Sequence, residues 1–405
     1  MKILYFGTIC DKENYMRIRE SFREKPSIAP FVFETALLKG FQQNSVDLET
    51  ISFPVIPAFP KSKYLAWGKR EEILESGYKN TWIPAINISG VKQLCQRYHS
   101  GQILEEWLRR NAMEEKAVII YSAYYPIAKS IVALCKKYHT KCYAIIPDLP
   151  RDMYSIANIG LVKKNLSRLY VQAAEKVQGK FDGYIYLTDA MKNVINPTAP
   201  YIVVEGIANV SEVRELSIQN KEPGFVVMYA GALNEKLGLR NLIEAFMRLQ
   251  NDDARLWIFG AGDFQEKVEE YGKKDTRICF FGSVDRKNVL EYERKATLLV
   301  NVREDKSEFT KYSFPSKTIE YMLSGTPLLT TRLIGIPQEY YRYSFSVSSN
   351  TPTVLMEKLK EIAEKSAEEL LEIGRRAQRF IQEEKNGQKQ AKKIEEFVLD
   401  QIQRD

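Results

Sequence analysis

Short apolar runs alternate with amphipathic stretches along the whole chain. In the first half the apolar runs are residues 1–6, 117–121, 141–146, 183–187 and 201–204. In the second half they are residues 225–230, 255–259, 277–281, 298–302 and 328–330. Runs of this length predict buried strands, and the helical patterns between them, such as residues 127–138 and 160–178, predict βαβ units. The pattern therefore indicates an α/β fold with parallel sheets, whose ligand edge lies at the carboxyl ends of the strands.

A polar stretch near the middle of the chain divides this pattern in two. Residues 215–223 are polar, and a helix-breaking Pro223-Gly224 pair follows Lys221-Glu222. At 405 residues the chain is also longer than a usual single domain. We therefore predict two α/β domains, each with its own core, joined by a linker at this stretch.

One stretch of the second half, residues 312–330, predicts a short helix that leads into a buried strand. Pro315 suits the first helical turn, where its missing N–H has no intrahelical partner to lose. Gly325 and Pro327 then end the helix. Ile319 and Met322 repeat at helical spacing, so one side of this helix is expected to pack against a sheet.

Lys317 and Glu320 lie three residues apart and therefore share another face of the same helix. Together with the free backbone N–H groups of the helix N-terminus, they form a place for an anionic phosphate next to a sugar hydroxyl. The alternative interpretation is a solvated surface ion pair on an ordinary amphipathic helix.

The letters of this stretch, Ser-Phe-Pro-Ser-Lys-Thr-Ile-Glu-Tyr-Met-Leu-Ser-Gly-Thr-Pro, resemble the donor-site motif of GT-B glycosyltransferases. The branch that it resembles is glycosyltransferase family 4 of bacterial polysaccharide biosynthesis, with its Phe-Pro-Ser-Lys sequence. The resemblance implies that Glu320 binds the nucleotide ribose, that Lys317 faces the diphosphate and that Ser316 is a further donor contact. Many members carry a second glutamate eight residues before the first, where this chain has Tyr312.

The resemblance also implies an architecture of two Rossmann-like parallel-sheet domains that face a cleft. Residues 1–215 are then the acceptor-binding domain, and residues 216–388 are the domain that binds the nucleotide-sugar donor. Residues 389–405 are expected to form a last helix that crosses back onto the first domain.

Three further loops of the second half follow predicted strands and resemble parts of the same donor site. Gly231 opens a loop in which Lys236 fits the lysine of the family's phosphate loop, although Ala232 stands where the family has an arginine. Gly262 lies in a Gly-Ala-Gly loop, and Val284 ends a strip that resembles the one against the nucleobase. Four loops in this order at strand ends carry the prediction better than any one of them.

The first half contributes two candidate loops. Gly7 and Thr8 follow the first strand, and the resemblance places this loop on the acceptor side. Asp148 comes directly after the strand at 141–146, where several family members have a His-Asp pair and this chain has Pro147. We expect Asp148 to orient or deprotonate the acceptor hydroxyl, with loop capping as the equal alternative.

The formal charge of +7 is unevenly distributed along the chain. Residues 1–220 carry 29 Lys and Arg against 22 Asp and Glu, whereas the remaining residues carry 30 of each type. A segment rich in proline and aromatic residues at 51–90 adds four basic residues between Lys61 and Arg70. This half is therefore expected to contact anionic membrane lipid or a lipid-linked acceptor, or simply to present a solvated basic surface. No basic-aromatic stripe or reader motif indicates nucleic acid.

Cysteines, histidines and hydropathy limit the remaining classes. Five cysteines without a Cys-x-x-Cys pair suit reduced thiols of a cytoplasmic protein, and two histidines do not make a histidine-rich metal site. No apolar run approaches the roughly twenty residues that span a bilayer. We expect a cytoplasmic location, with peripheral attachment to the inner face of the plasma membrane.

A nucleotide-sugar reaction must offset the negative charge that develops on the diphosphate leaving group. No closely spaced aspartate pair lies at a predicted strand end, so Lys236, Lys317 and the helix N-terminus are expected to do this without a metal or other cofactor. The resemblance implies a retaining glycosyltransferase that moves a sugar from a UDP- or GDP-linked donor to a glycan or lipid-linked acceptor. A nucleotide-sugar epimerase of the same fold and a non-catalytic nucleotide-sugar-binding subunit are the alternatives.

Overall fold

The chain folds as two α/β units. A computed structural model describes residues 1–22, 28–149, 161–210, 213, 217–304 and 309–404, without the side chains of residues 161–164, 166, 236 and 309. Unit 1 comprises Met1–Ile207 and Gly387–Asp405, and unit 2 comprises Ala208–Asn386. The predicted domain limits at 215/216 and 388/389 lie slightly further along the chain, so the stretch expected as a linker belongs to unit 2.

The main sheet of unit 1 runs in the order β10-β9-β8-β7-β1-β2-β5-β4. Its pairs are parallel except at the edge, where β4 runs antiparallel to β5. A separate small sheet pairs β3 with β6. The strands are β1 (Lys2–Gly7), β2 (Asp47–Ser52), β3 (Ala66–Trp67), β4 (Arg70–Ile73), β5 (Lys79–Trp82), β6 (Ala85–Ile86), β7 (Lys116–Tyr121), β8 (Lys141–Ile146), β9 (Gly183–Tyr186) and β10 (Tyr201–Val203).

Helices cover both faces of this sheet. They are α1 (Lys12–Glu20), α2 (Ala29–Gln43), α3 (Val91–Arg110), α4 (Tyr125–Lys137), α5 (Leu161–Gln178) and the short α6 (Lys192–Ile195). The last helix of the chain also packs here: its apolar residues Ala391 and Ile394 join Leu37 and Phe41 of α2 in one core cluster.

Unit 2 contains a sheet whose described pairs are all parallel, in the order β13-β12-β11-β14-β15-β16. Its strands are β11 (Val226–Ala230), β12 (Arg255–Phe259), β13 (Ile278–Gly282), β14 (Leu298–Asn301), β15 (Leu328–Thr331) and β16 (Phe345–Val347). Its helices are α7 (Leu239–Met247), α8 (Gln265–Lys274), α9 (Arg286–Lys295), α10 (Phe309–Tyr312), α11 (Lys317–Ser324), α12 (Pro352–Ala363) and α13 (Ala367–Glu384), and α14 (Gly387–Gln403) then returns to unit 1.

The central strand β11 shows why the apolar run at residues 225–230 is not interrupted by polar residues. All five of its residues are buried, with Val227 and Tyr229 in the cluster on one face of the sheet and Val226 and Met228 in the cluster on the other. A strand covered by helices on both faces needs apolar side chains at every position. The prediction of two Rossmann-like α/β units is confirmed.

In each sheet the strand order reverses next to the first strand of the unit, between β1 and β7 in unit 1 and between β11 and β14 in unit 2. Crossover connections leave the sheet in opposite directions at such a point, which opens a crevice at the carboxyl ends of the strands.

The helix that the sequence placed at Pro315 begins two residues later. Ser316 is the N-cap residue of α11, and the carbonyl of Pro315 accepts the N–H of Thr318 at 2.8 Å. The predicted end is confirmed, because Gly325 caps the helix with a φ of 79°. Among the described residues, no helix is long and apolar enough to cross a membrane.

Close contact between two glycines docks α14 onto unit 1. A Cβ atom on Gly40 of α2 would lie 2.0 Å from the carbonyl oxygen of Gly387, and one on Gly387 would lie 2.4 Å from the oxygen of Ala36. Both clashes are with backbone, which cannot move away as a flexible side chain can.

Gly40→Ala is therefore expected to destabilise unit 1 by about 1–3 kcal/mol, the usual cost of overpacking a rigid contact. The matched control is Gly101→Ala in α3, where the nearest atom lies 3.8 Å from the new Cβ. That substitution should stabilise by about 0.5–1 kcal/mol through helix propensity. Thermal unfolding of both variants measures the difference, and equal midpoints would show that the two helices do not depend on this contact.

Candidate functional site

Backbone hydrogen bonds join the loops that follow β11, β12 and β13 in unit 2. The N–H of Gly231 donates to Phe259 at 3.0 Å, and the N–H of Leu233 donates to Ala261 at 3.0 Å. The N–H of Gly260 reaches the carbonyl of Gly282 at 2.8 Å. The predicted donor loops at Gly231, Gly262 and Phe281–Val284 are thus brought side by side along the carboxyl edge of the sheet.

Two glycines permit this close packing. Gly260 has a φ of 131°, and a Cβ there would lie 1.8 Å from the carbonyl oxygen of Gly231. A Cβ on Gly262 would lie 2.3 Å from the oxygen of Leu233. Both glycines are therefore required by backbone contact between the loops.

Tyr321 fixes α11 against the last residue of β11. Its buried hydroxyl accepts the N–H of Ala230 at 2.8 Å and donates to the carbonyl of the same residue at 3.0 Å. Since Gly231 follows Ala230 directly, this pair of bonds places the first turn of α11 next to the Gly231 loop. The helix that carries Lys317 and Glu320 and the first donor loop therefore lie at the same crevice.

Lys317 and Glu320 form an ion pair on α11, and a third charged group lies behind them. The Nζ atom of Lys317 is also 3.5 Å from Oε1 of Glu293, a fully buried carboxyl on α9. On the outer side, Arg286 lies 3.5 Å from Oε2 of Glu320. The ammonium group also lies 5.4 Å from the ring centre of Tyr321, a distance suited to a cation–π contact.

Burial and neighbouring charges favour different protonation states for the carboxyl groups of Glu293 and Glu320. Burial, helped by the charge of Glu320, raises the pKa of Glu293 well above its ordinary value. Burial is also the largest single influence on Glu320 and opposes its ionisation, but Lys317, a hydrogen bond with Glu293 and the charge of Arg286 together outweigh burial and lower the pKa of Glu320. The site therefore holds one ionised carboxylate, Glu320, and one carboxyl that favours its protonated form, Glu293.

The other predicted donor residues lie around this pair with less defined contacts. Ser316 is exposed at the N-terminus of α11, and its side chain makes no capping hydrogen bond. Val284 is half-buried and packs against the apolar cluster on the α11 side of the sheet. Lys236 belongs to a 3₁₀ turn over Glu235–Leu237, and its side chain lies outside the part of the chain that the structure describes.

In unit 1, a buried carboxylate holds the Gly7-Thr8 loop. The N–H of Thr8 lies 3.0 and 3.1 Å from the two oxygens of Glu34, the Thr8 hydroxyl donates to the same carboxylate, and the hydroxyl of Tyr5 donates to it at 3.0 Å. A Cβ on Gly7 would lie 2.2 Å from Oε2 of Glu34. Burial raises the pKa of Glu34 to about 7, although these hydrogen bonds favour the ionised form.

Asp148 lies at the same crevice of unit 1. It is exposed after β8, and its charge, like that of Glu34, acts on the phenol of Tyr121 at the end of β7. Ser122 and Ala123 follow with positive φ values of 67° and 37°. Non-glycine residues rarely adopt this conformation, so the turn after β7 stores local backbone strain next to the loop of Gly7 and Thr8.

Three charged residues of these crevices were missed by sequence analysis. Glu34 and Glu293 are buried on helices, and each occupies a position in phase with apolar neighbours, such as Leu37 and Leu38 or Val289 and Ala296. A glutamate at the helical spacing of apolar residues is the sequence signal that could have identified these two buried carboxyl groups. The third, Arg303, follows the buried strand β14 by two residues. Among the described residues, no group of three or more acidic, histidine or cysteine side chains is arranged to hold a metal ion.

Comparison with known proteins supports the identity of the second unit. Residues 224–388, which include most of unit 2, match the family model of Glycosyl transferases group 1. A search of curated protein sequences gave no significant match to the chain.

Solved structures resemble the chain over its full length. Sucrose-phosphate synthase from Thermosynechococcus elongatus is 13% identical, with a TM-score of 0.63 and coverage of 100% of both chains. The lipopolysaccharide outer core galactosyltransferase WaaB is 14% identical, with a TM-score of 0.59 and coverage of 99% of both. HepE from Anabaena, solved with UDP and glucose, is 14% identical, with a TM-score of 0.61 and coverage of 99% of this chain and 100% of that one. At such identities the likeness is one of fold, so the chain has the GT-B fold, and its second unit matches the group 1 glycosyl transferases.

Proposed function

We propose that this chain is a glycosyltransferase that moves a sugar from a nucleotide-sugar donor to a glycan or lipid-linked acceptor in cell-surface polysaccharide biosynthesis. The observation that carries the proposal is the Lys317–Glu320 pair, held next to the Gly231 loop by the bonds between Tyr321 and Ala230. This arrangement lies at the crevice of unit 2, in the region that matches the glycosyl transferase family model.

Each donor group has a partner of suitable chemistry in this crevice. Glu320 is ionised and partly exposed, so its oxygens can accept the hydroxyls of a ribose. The loops at Gly231 and Gly262 offer backbone to the phosphates, and Val284 ends the loop that we assign to the base. HepE, which shares the fold, was solved with UDP and glucose, and we propose a UDP- or GDP-linked sugar for this chain.

The proposed reaction needs positive charge where the diphosphate leaves. We assign this charge to Lys317, Lys236 and the N-terminus of α11, without a metal ion. We propose that the transfer retains the anomeric configuration and that the leaving phosphate helps to take the acceptor proton. Asp148 and the Gly7-Thr8 loop on unit 1 are assigned to the acceptor, where the exposed carboxylate of Asp148 can orient its hydroxyl.

A panel of sugar nucleotides tests the proposal directly. Purified protein should release nucleoside diphosphate from one of them, and release should rise when a lipid-linked or glycan acceptor is added. Turnover should survive EDTA, because the positive charge is supplied by side chains and a helix end. Conversion of the sugar without an acceptor would indicate an epimerase, binding without turnover would indicate a binding subunit, and loss of activity in EDTA restored by Mg²⁺ would overturn the metal-independent assignment.

Lys317 and Glu320 should affect different kinetic constants. Glu320 holds ribose hydroxyls that change little during the reaction, so Glu320→Ala should weaken nucleotide binding by about 1.5–3 kcal/mol. Lys317 faces charge that grows in the transition state, so Lys317→Ala should lower kcat about a hundredfold or more, and Lys317→Gln should recover little of it. Steady-state kinetics with nucleoside diphosphate titration measures both.

The chain offers a matched control for this pair. Lys267 and Glu270 have the same spacing on α8 and form an exposed ion pair at 2.8 Å. Lys267→Ala and Glu270→Ala should leave kcat and nucleotide affinity unchanged, since an exposed pair contributes about 1 kcal/mol or less and only to stability. A kcat for Lys317→Ala as high as that of these controls would contradict the donor-site assignment.

We further propose that unit 1 attaches peripherally to anionic membrane through residues 55–94. Backbone contacts bring the two ends of this segment together: Phe59 pairs with Ile88, and the N–H of Asn87 donates to the carbonyl of Leu65 at 2.7 Å. Eight large apolar side chains of this segment are exposed: Val55, Phe59, Leu65, Ile73, Ile86, Ile88, Val91 and Leu94. Lys61, Lys63 and Lys69 are exposed in the same segment, and such a mixture suits the interface of an anionic bilayer.

Exchanging Lys61, Lys63 and Lys69 together for Gln should weaken vesicle binding about a hundredfold, at about 1 kcal/mol for each basic contact. The control exchanges three exposed lysines of α8, Lys267, Lys273 and Lys274, and should bind like the unmodified protein. Co-sedimentation with phosphatidylserine vesicles at low and high salt measures the effect. Binding that is indifferent to salt, or that falls equally in both triple variants, would exclude this surface.

A further inference from the structure

Arg303 lies at the crevice of unit 2, on the opposite side from the Gly231 loop. It follows β14 (Leu298–Asn301) by two residues, and β14 pairs with β11 at the point where the strand order reverses. The crevice of a doubly wound sheet opens between the loops that follow two such strands. Arg303 therefore holds a position from which a side chain can reach a ligand in the crevice.

The backbone next to Arg303 is in contact with the donor loop. Gly238, which ends this loop, has a φ of 83°, and a Cβ there would lie 1.9 Å from the carbonyl oxygen of Val302. The side-chain amide of Asn350 donates to the same oxygen at 3.4 Å. The segment that leads into Arg303 is thus packed against the loop that begins at Gly231.

Within the described part of the chain, the guanidinium group of Arg303 has no carboxylate or carbonyl partner. Its Nε atom is fully enclosed and makes no hydrogen bond. Two phenols, Tyr229 and Tyr321, lie close enough to interact with its charge. Both hydroxyls are already engaged with backbone, since Tyr229 donates to Ala232 at 2.8 Å and Tyr321 is bonded to Ala230.

Arg303 keeps its positive charge at a cost in free energy. Burial lowers the pKa of Arg303, but an arginine pKa starts so high that the group stays protonated at neutral pH. A buried cation without a counter-charge is unfavourable, and an anion that binds against it removes that cost. The two cations on the α11 side of this crevice, Lys317 and Arg286, are both already paired with Glu320.

We propose that Arg303 is a diphosphate-binding residue, whose guanidinium receives the phosphates of the donor between the Gly231 loop and the first turn of α11. The inference rests on the proposed function for the identity of the ligand as a nucleotide sugar. Its planar fork suits two phosphate oxygens at once, which a lysine ammonium does not match. Among the described residues, Arg303 thereby supplies positive charge that no carboxylate neutralises, whereas Lys317 is paired with Glu320.

Inorganic pyrophosphate is the probe, because it tests the phosphate contact without the base or the sugar. Pyrophosphate should raise the thermal unfolding midpoint of the unmodified protein, and Arg303→Gln should weaken its binding about ten- to hundredfold by calorimetric titration. Arg303→Lys should recover part of the affinity. Without ligand, Arg303→Gln should unfold at the same temperature as the unmodified protein or higher, because it removes an unbalanced buried charge.

Arg248→Gln is the control, since Arg248 is exposed at the end of α7, where its guanidinium donates to the hydroxyl of Thr353 at 3.4 Å. It should bind pyrophosphate like the unmodified protein. Arg303→Gln that unfolds earlier and binds pyrophosphate normally would overturn the proposal and show a structural role. Equal affinity for sulfate and pyrophosphate at matched ionic strength would also overturn it. If Arg303→Gln does not fold, Arg303→Lys replaces it, and an unchanged affinity of that variant for pyrophosphate would overturn the proposal.

The experiment also separates this inference from the proposed function. Turnover of a sugar nucleotide together with normal pyrophosphate binding by Arg303→Gln would refute the role of Arg303 and leave the function standing. Pyrophosphate binding that depends on Arg303, in a protein that turns over no sugar nucleotide, would support the anion site and refute the glycosyltransferase assignment.

Discussion

Two hydrogen bonds between the Tyr321 hydroxyl and the backbone of Ala230 fix α11 at the crevice of unit 2. A buried hydroxyl is costly unless it is bonded, and both the N–H and the carbonyl of Ala230 need partners at the point where β11 ends. One side chain meets both requirements, so α11 cannot slide along the sheet without leaving three buried polar groups unpaired. The positions of Lys317 and Glu320 on that helix follow from this constraint.

The same tyrosine links the charges of the crevice to one another. Lys317 lies over the ring of Tyr321, and Arg303 lies near its phenol. Burial is the main cause that raises the pKa of the Tyr321 phenol, and the charge of Glu293 raises it further. A ligand that engages Glu320 competes with Lys317 for the same carboxylate. In the proposed function, this competition couples ribose binding to phosphate binding, because a hydroxyl that occupies Glu320 leaves the ammonium freer to interact with phosphate.

The fold was largely predictable from the sequence, because strands covered on both faces are apolar at every position, as β11 shows. The strands within residues 51–90 were harder to predict. Prolines and aromatic residues in this stretch concealed the edge strand β4 and its neighbour β5, whose side chains are mostly polar or exposed. The position of the α11 N-terminus was also missed, because Pro315 fits a turn before the N-cap as well as the first helical turn.

The candidate site was predictable only where its residues are neighbours in sequence. Lys317 and Glu320 lie three apart, so their pairing follows from helix geometry. Glu293 and Arg303 reach the same crevice from other elements, and no local spacing reveals such contacts. Glu34 likewise lies 26 residues from Thr8, and its role as an acceptor for that loop appears only when α2 packs over β1.

The return of α14 to unit 1 makes unit 2 an insertion within another domain. Its first and last residues adjoin, since the N–H of Ala208 donates to the carbonyl of Lys385 at 2.8 Å and Ala208 pairs with Asn386. Inserted domains with adjoining ends can be excised or exchanged with little strain on the host. Unit 2 is therefore a single contiguous segment of this chain, whereas truncation after residue 207 would remove a core helix from unit 1.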